Sequence, residues 1–186
     1  MFLVIGLGNP GQEYLQTRHN AGFLALHSFA ALRDFPEPEK NAKANALISE
    51  KTMQQEKVLL AWPQTFMNSS GDAVQFLALF YKIPPQNIIV IHDDIDLPLG
   101  TVKVSLGSGS AGHKGVESII EKLGTKNFSR IRIGILPKQG KPEDVERFVL
   151  QEFTKEEQTI LKDSMQKTFS LLETIIANSP DKKTEK

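Results

Sequence analysis

The chain has 186 residues, 40% apolar and 24% charged, which fits one folded domain burying roughly 70% of its unfolded surface and excludes a disordered or membrane-embedded chain. Basic and acidic residues number 22 each, so an anionic partner must be held by a local basic patch, not by the field of the whole molecule. Cysteine is absent, which excludes disulfides, thiol nucleophiles, iron–sulfur clusters and cysteine zinc sites and fits a reducing cytoplasm.

Met1 to Ile5 are apolar, but they have no basic lead and reach Gly6 too soon for a signal peptide. No apolar run approaches the ~18 residues of a bilayer span. Residues 2–6 lack polar alternation and read as a buried strand, followed by a glycine-rich loop from Gly6 to Gly11. Asn20 reads as the cap of a helix carrying Phe23, Leu24, Leu26 and Ala30 and ending near Asp34-Phe35-Pro36. Residues 45–49 and 57–62 form a predicted hairpin, and the loop 63–69 leads into a helix over 70–81. The apolar run Ile88–Ile91 predicts a central strand that discharges into His92-Asp93-Asp94-Ile95-Asp96-Leu97-Pro98.

A strand over 101–106 and a second glycine-rich segment, Gly107 to Gly115, precede a helix with Val116, Ile119, Ile120 and Leu123 at helical spacing. Arg130-Ile131-Arg132-Ile133 alternates as a strand with one wet face, and Pro142 suits the first turn of a short helix. Thr154 and Glu157 form a capping box before a long helix. These elements predict a single α/β domain over 1–178, a twisted mixed, mostly parallel sheet with helices on both faces, and a flexible tail over 179–186. In such sheets ligands gather beyond the carboxyl ends of the strands, where the loops 6–19, 63–69 and 92–97 bring Asn9, His19, Asn68 and Asp93 together.

Gly6-Leu7-Gly8-Asn9-Pro10-Gly11 spells a dinucleotide fingerprint, but Pro10 removes a donor and no apolar helical stripe follows, so the loop is read as one that lets the Asn9 amide approach a substrate. His19 is the candidate general base, since an imidazole with pKa near ~6.5 can take a proton from water at neutral pH. Asp93 is the carboxylate chosen to fix its tautomer and stabilise the imidazolium. The three aspartates and His92 hint at a metal, yet no HExxH or EF-hand spacing accompanies them and alternate strand residues point apart, so no metal or other cofactor is expected. Phe66, Met67 and Asn68 combine apolar surface with an amide suited to a peptide-like ligand, and His113 and Lys114 open a helix whose N–H groups favour anions. Ser108-Gly109-Ser110-Ala111-Gly112 almost spells a nucleophile elbow, which leaves a Ser110 esterase as the alternative chemistry. Arg130 and Arg132 share a strand face and can clamp a phosphate.

Five segments in register, Gly6–Gly11, Thr17–Gly22, Pro63–Gly71, His92–Pro98 and Arg130–Ile135, together resemble the bacterial-type peptidyl-tRNA hydrolase family. The resemblance implies an enzyme without cofactor or obligate protein partner; the lack of cysteine and of a signal peptide points to the cytoplasm, and zero net charge with no heptad seam leaves a monomer as the default. Its expected reaction is cleavage of the ester between an N-blocked peptide and the 3′ end of tRNA, recycling tRNA from aborted translation. It further implies that His19 accepts a proton from water, that Asp93 stabilises its basic form, and that Asn9 separates N-blocked from free aminoacyl ends. Tyr14, Phe66 and Asn68 then line the groove, while Lys103 and Arg132 hold a tRNA phosphate. The chain departs from the family pattern at Lys114, where asparagine is usual, and at Ser105, where a second lysine often stands, so a weaker phosphate clamp is expected. A non-catalytic tRNA-binding module is the other alternative.

Overall fold

The structure is a computed structural model, and it describes residues 1–178; the expected tail over 179–186 lies outside the described residues. Chain order gives β1 (Phe2–Gly6), α1 (Ala21–Leu32), β2 (Glu39–Asn41), β3 (Ala46–Met53), β4 (Glu56–Pro63), α2 (Ser70–Phe80), β5 (Ile88–Pro98), β6 (Val102–Leu106), α3 (Lys114–Leu123), β7 (Ser129–Leu136), α4 (Val145–Val149) and α5 (Lys155–Ala177). The strands form one sheet in the order β2-β3-β4-β1-β5-β7-β6. β1 runs parallel to β4 and β5, and β5 parallel to β7, while β2, β3 and β6 pair antiparallel at the two margins. The expected mixed, mostly parallel α/β architecture is therefore present.

β1 is buried at all five positions because it lies between two parallel neighbours with helices above and below. Its side chains divide by parity. Phe2 and Val4 join a core with α1 and α5, while Leu3 and Ile5 join a core with α2 and α3. A glycine in the first turn of α1 serves close packing: a Cβ on Gly22 would fall 2.2 Å from the Ile91 carbonyl oxygen and 2.5 Å from Leu7 N, so α1 touches the ends of β1 and β5 directly. No helix among the described residues is long and apolar enough to cross a membrane.

Three local expectations need correction. β5 does not stop at Ile91 but continues to Pro98, with a shift in register against β7 between Asp94 and Pro98. The polar residues remain in the ladder because their side chains find partners, as Asp94 does with Arg132. β2 is a strand of polar residues on the sheet margin, where no apolar run is needed. The short helix α4 begins at Val145 under an Asp144 cap, beyond Pro142. The capping box of α5 is present as expected, with Thr154 Oγ1 accepting from Glu157 N–H and Glu157 accepting from Thr154 N–H.

Candidate active site

The carboxyl ends of β1, β4 and β5 meet at one edge of the sheet, and the loops leaving them build a network of buried polar groups. Asn9 follows β1 and is 7% exposed. Its backbone N–H donates to Asn20 Oδ1 at 2.8 Å and its carbonyl accepts from Asn20 Nδ2 at 2.9 Å. Asn20 precedes α1 as expected, but its side chain does not cap the helix; it satisfies the buried backbone of Asn9 instead. Met67 N–H donates to Asn9 Oδ1 at 2.8 Å. A backbone N–H can donate only to the oxygen, so the orientation of the Asn9 amide is determined and its NH2 is left as the end that can meet a ligand.

His19 lies on a short 3-10 turn, Arg18–Asn20, locked against the C-terminal part of the chain. Arg18 donates to Glu157 at 2.7 Å and to the Phe148 carbonyl, and its guanidinium lies 4.2 Å from the Phe148 ring centre. So held, His19 Nδ1 lies 3.0 and 3.1 Å from the two oxygens of Asp93, which is buried. A carboxylate only accepts, so Nδ1 carries the proton and Nε2 is free to act as a base. Burial works to keep the His19 ring neutral; the Asp93 charge and hydrogen bond outweigh it and raise its pKa above the ordinary value. Burial likewise pushes the Asp93 carboxyl up, but the charges and hydrogen bonds of His19 and His113 prevail and hold it well below the usual carboxylate range.

His19, Asp93, His113, Lys114 and Ser110 line a cleft of about 270 Å³, together with Lys141, Val145 and Val149. His19, Asp93 and His113 offer nitrogen and oxygen atoms within 4.8 Å of one another. As a metal triad they would have to give up their mutual hydrogen bonds, for both rings already aim a nitrogen at Asp93 Oδ1. Ser110 makes a poor nucleophile. Its hydroxyl accepts from Gly112 N–H, and both ring nitrogens of His113 are engaged elsewhere, with Asp93 and with Val116 N–H.

Around this centre, Phe66 and Asn68 are exposed and Tyr14 is half-buried. Met67 is buried against the start of α3, and its backbone N–H is taken by Asn9 Oδ1. Lys103 and Arg132 are direct neighbours across β6 and β7, and Lys103 is exposed. Arg132 Nε is hydrogen-bonded to Asp94 at 2.7 Å. Arg130, by contrast, is 3% exposed, so the predicted pair of wet arginines reduces to one. Sequence reasoning missed the supporting roles of Arg18 and Asn20, although both flank His19 in the segment it singled out. It gave no place in the site to Lys141, which lines the cleft and pairs with Asp96 at 2.6 Å.

A family model described as peptidyl-tRNA hydrolase matches residues 3–186. The chain is 43% identical over 180 residues to the peptidyl-tRNA hydrolase of Aquifex aeolicus, covering 96% of this chain and 92% of that one. It is 44% identical over 170 residues to that of Desulfitobacterium hafniense, covering 90% and 88%. Among solved structures it resembles peptidyl-tRNA hydrolase from Acinetobacter baumannii with a TM-score of 0.87 and 33% identity, over 95% of this chain and 88% of the other.

Proposed function

The chain belongs to the peptidyl-tRNA hydrolase family and is an enzyme that hydrolyses peptidyl-tRNA, and from that premise we propose that His19 is the general base, Asp93 its orienting partner and Asn9 the group that recognises an N-blocked peptide. One observation carries this reading: His19 is fixed by Asp93 at Nδ1, with Nε2 left free beside the cleft. Nε2 takes a proton from water as the water oxygen bonds to the ester carbonyl carbon. The resulting tetrahedral centre collapses, the bond to the terminal ribose oxygen breaks, and the imidazolium returns the proton to that oxygen. The products are a peptide acid and a tRNA hydroxyl. Asp93 stabilises the imidazolium between the two transfers.

Asn9 fits its role because its oxygen is occupied by Met67 N–H. The NH2 it can present donates to a peptide carbonyl but has nothing to offer a free ammonium, which also only donates. Phe66, Asn68 and Tyr14 border the path of the peptide and the 3′ end, with His113 and Lys114 at the cleft wall. Lys103 and Arg132 supply the cationic edge for a phosphate. The same reading takes the enzyme to act as a monomer, and its substrate points to the cytoplasm.

Ester release from N-blocked aminoacyl-tRNA by wild type, His19→Ala and Ser110→Ala, with and without chelator, tests the reading. It expects loss only in His19→Ala, with tRNA binding retained and no response to chelator. Equal turnover by His19→Ala would overturn it. Loss in Ser110→Ala alone would move the chemistry to the serine, and binding without turnover by wild type would leave a tRNA-binding module.

A further inference from the structure

Asp93 is not the partner of one histidine but of two. His113 Nε2 lies 2.9 Å from Asp93 Oδ1, the same oxygen that lies 3.0 Å from His19 Nδ1, and the two rings are 4.9 Å apart. At its other nitrogen, His113 is the cap of α3: Val116 N–H donates to Nδ1 at 3.3 Å. An accepting Nδ1 carries no proton, so the neutral ring must carry it on Nε2, facing Asp93. The first turn of α3 is held there by close packing, since a Cβ on Gly115 would fall 2.5 Å from Met67 Sδ and 3.3 Å from His113 Cε1.

We infer that His113 is a positioning residue for the hydrolysis: by donating Nε2–H to the oxygen that also receives His19 Nδ1–H, it holds the Asp93 carboxylate at one angle and takes up part of its charge. This rests on the reading of His19 and Asp93 given above. With the carboxylate shared, less of its charge acts on the His19 imidazolium, and the base remains unprotonated to lower pH than an unshared partner would allow. His113 thus acts through Asp93 and not on the substrate.

The other ionisable groups around the three residues do not replace this contact. His92, on β5, donates Nδ1–H to the Asp93 carbonyl at 2.6 Å and is buried, which with neighbouring positive charge lowers its pKa well below the ordinary value. Its ring meets that of His113 edge-on at 4.6 Å. Arg130, on β7, adds to the positive charge acting on His92. Asp94 is paired with Arg132 and Asp96 with Lys141. Lys114 and Glu146 stand at the cleft wall, Lys114 within 4.0 Å of Glu117.

The test compares kcat/KM between about pH 5.5 and 9 for wild type, Asp93→Asn and His113→Asn, using N-blocked aminoacyl-tRNA. Asparagine is a good helix cap, so His113→Asn retains α3 but is too short to reach Asp93. The acidic limb should move up by roughly half to one pH unit in His113→Asn and down in Asp93→Asn. A merely structural role for His113 would lower activity equally at every pH. A limb unmoved in His113→Asn but moved in Asp93→Asn overturns this inference and leaves the site reading intact; a limb unmoved in both overturns the site reading as well. Nitrogen-15 spectra of the wild type test the geometry without a variant: the neutral His113 ring should carry its proton on Nε2, and a proton on Nδ1 overturns the inference.

Discussion

The crevice beyond β1 and β5 and the edge formed by β6 and β7 are both polar, yet they are built in opposite ways. In the crevice Asn9, Asn20 and Asp93 are buried, and each is held by hydrogen bonds that leave one orientation. At the edge Lys103 is exposed, and of the two arginines behind it Arg130 is buried and Arg132 is tied to Asp94. On the proposed reading the contrast follows from what each region does. Proton transfer needs groups fixed within hydrogen-bond reach in a dry setting, whereas holding a phosphate needs charge that remains in water until a partner arrives and is screened by salt.

The two regions should therefore fail differently. The largest effect is expected in the crevice: His19→Ala should lower kcat/KM by about 10²–10⁴ while tRNA binding, measured by filter retention, stays close to wild type. A parallel loss of binding would erase the distinction between the regions. Asn9→Asp comes next. It retains the acceptor for Met67 N–H but replaces the NH2 by an oxygen, so preference for N-blocked over free aminoacyl-tRNA should fall by roughly 10- to 100-fold, about one hydrogen bond to a charged group. The ratio of kcat/KM for the two substrates reads this directly. Lys103→Ala should weaken tRNA binding a few-fold and reduce the salt slope by roughly 0.7 to 0.9, with kcat unchanged; an altered kcat at saturating substrate would tie the edge to the chemistry. Lys114→Asn should be the smallest effect, a slight flattening of the salt dependence of KM, because its ammonium is well exposed and near Glu117.

The same contrast governs what the sequence made legible. Buried strands could be read because β1 and the start of β5 are unbroken apolar runs, and α3 because Val116, Ile119, Ile120 and Leu123 repeat at helical spacing. The capping box at Thr154 is local in sequence and was equally clear. β2 was invisible because a polar strand on a sheet margin has no apolar pattern to show. The continuation of β5 was hidden because His92 to Asp94 look like a loop until their partners are known; only Gly134, where a Cβ would strike the Pro98 carbonyl at 2.2 Å, marks the irregular pairing. Within the site, His19 and Asp93 were found as types suited to the chemistry. The Asn20 clasp on Asn9 and the His113 contact on Asp93 were not, since the first depends on how the connection between β1 and α1 folds back on itself and the second joins the start of α3 to β5. For His113 the obstacle was direction. β6 runs antiparallel to β7 and carries the chain away from the crevice, and residues 107–113 must bring it back.

Protonation also contributes to stability, with opposite signs at the two partners. Asp93, lowered in the folded state, adds stability above its unfolded pKa near ~3.9 that is lost as pH falls through the folded value. His19, raised in the folded state, adds stability below ~6.5 that is lost as pH rises through its folded pKa.

The central claim is that His19, poised by Asp93, is the base whose protonation switches the enzyme off. Titrating the His19 ring of the wild type by NMR, alongside kcat/KM on the same preparation, tests it most directly. The midpoint should lie above the ordinary ~6.5 and coincide with the acidic limb of activity. A His19 ring that titrates below that value, or at a pH where activity does not change, would contradict the account.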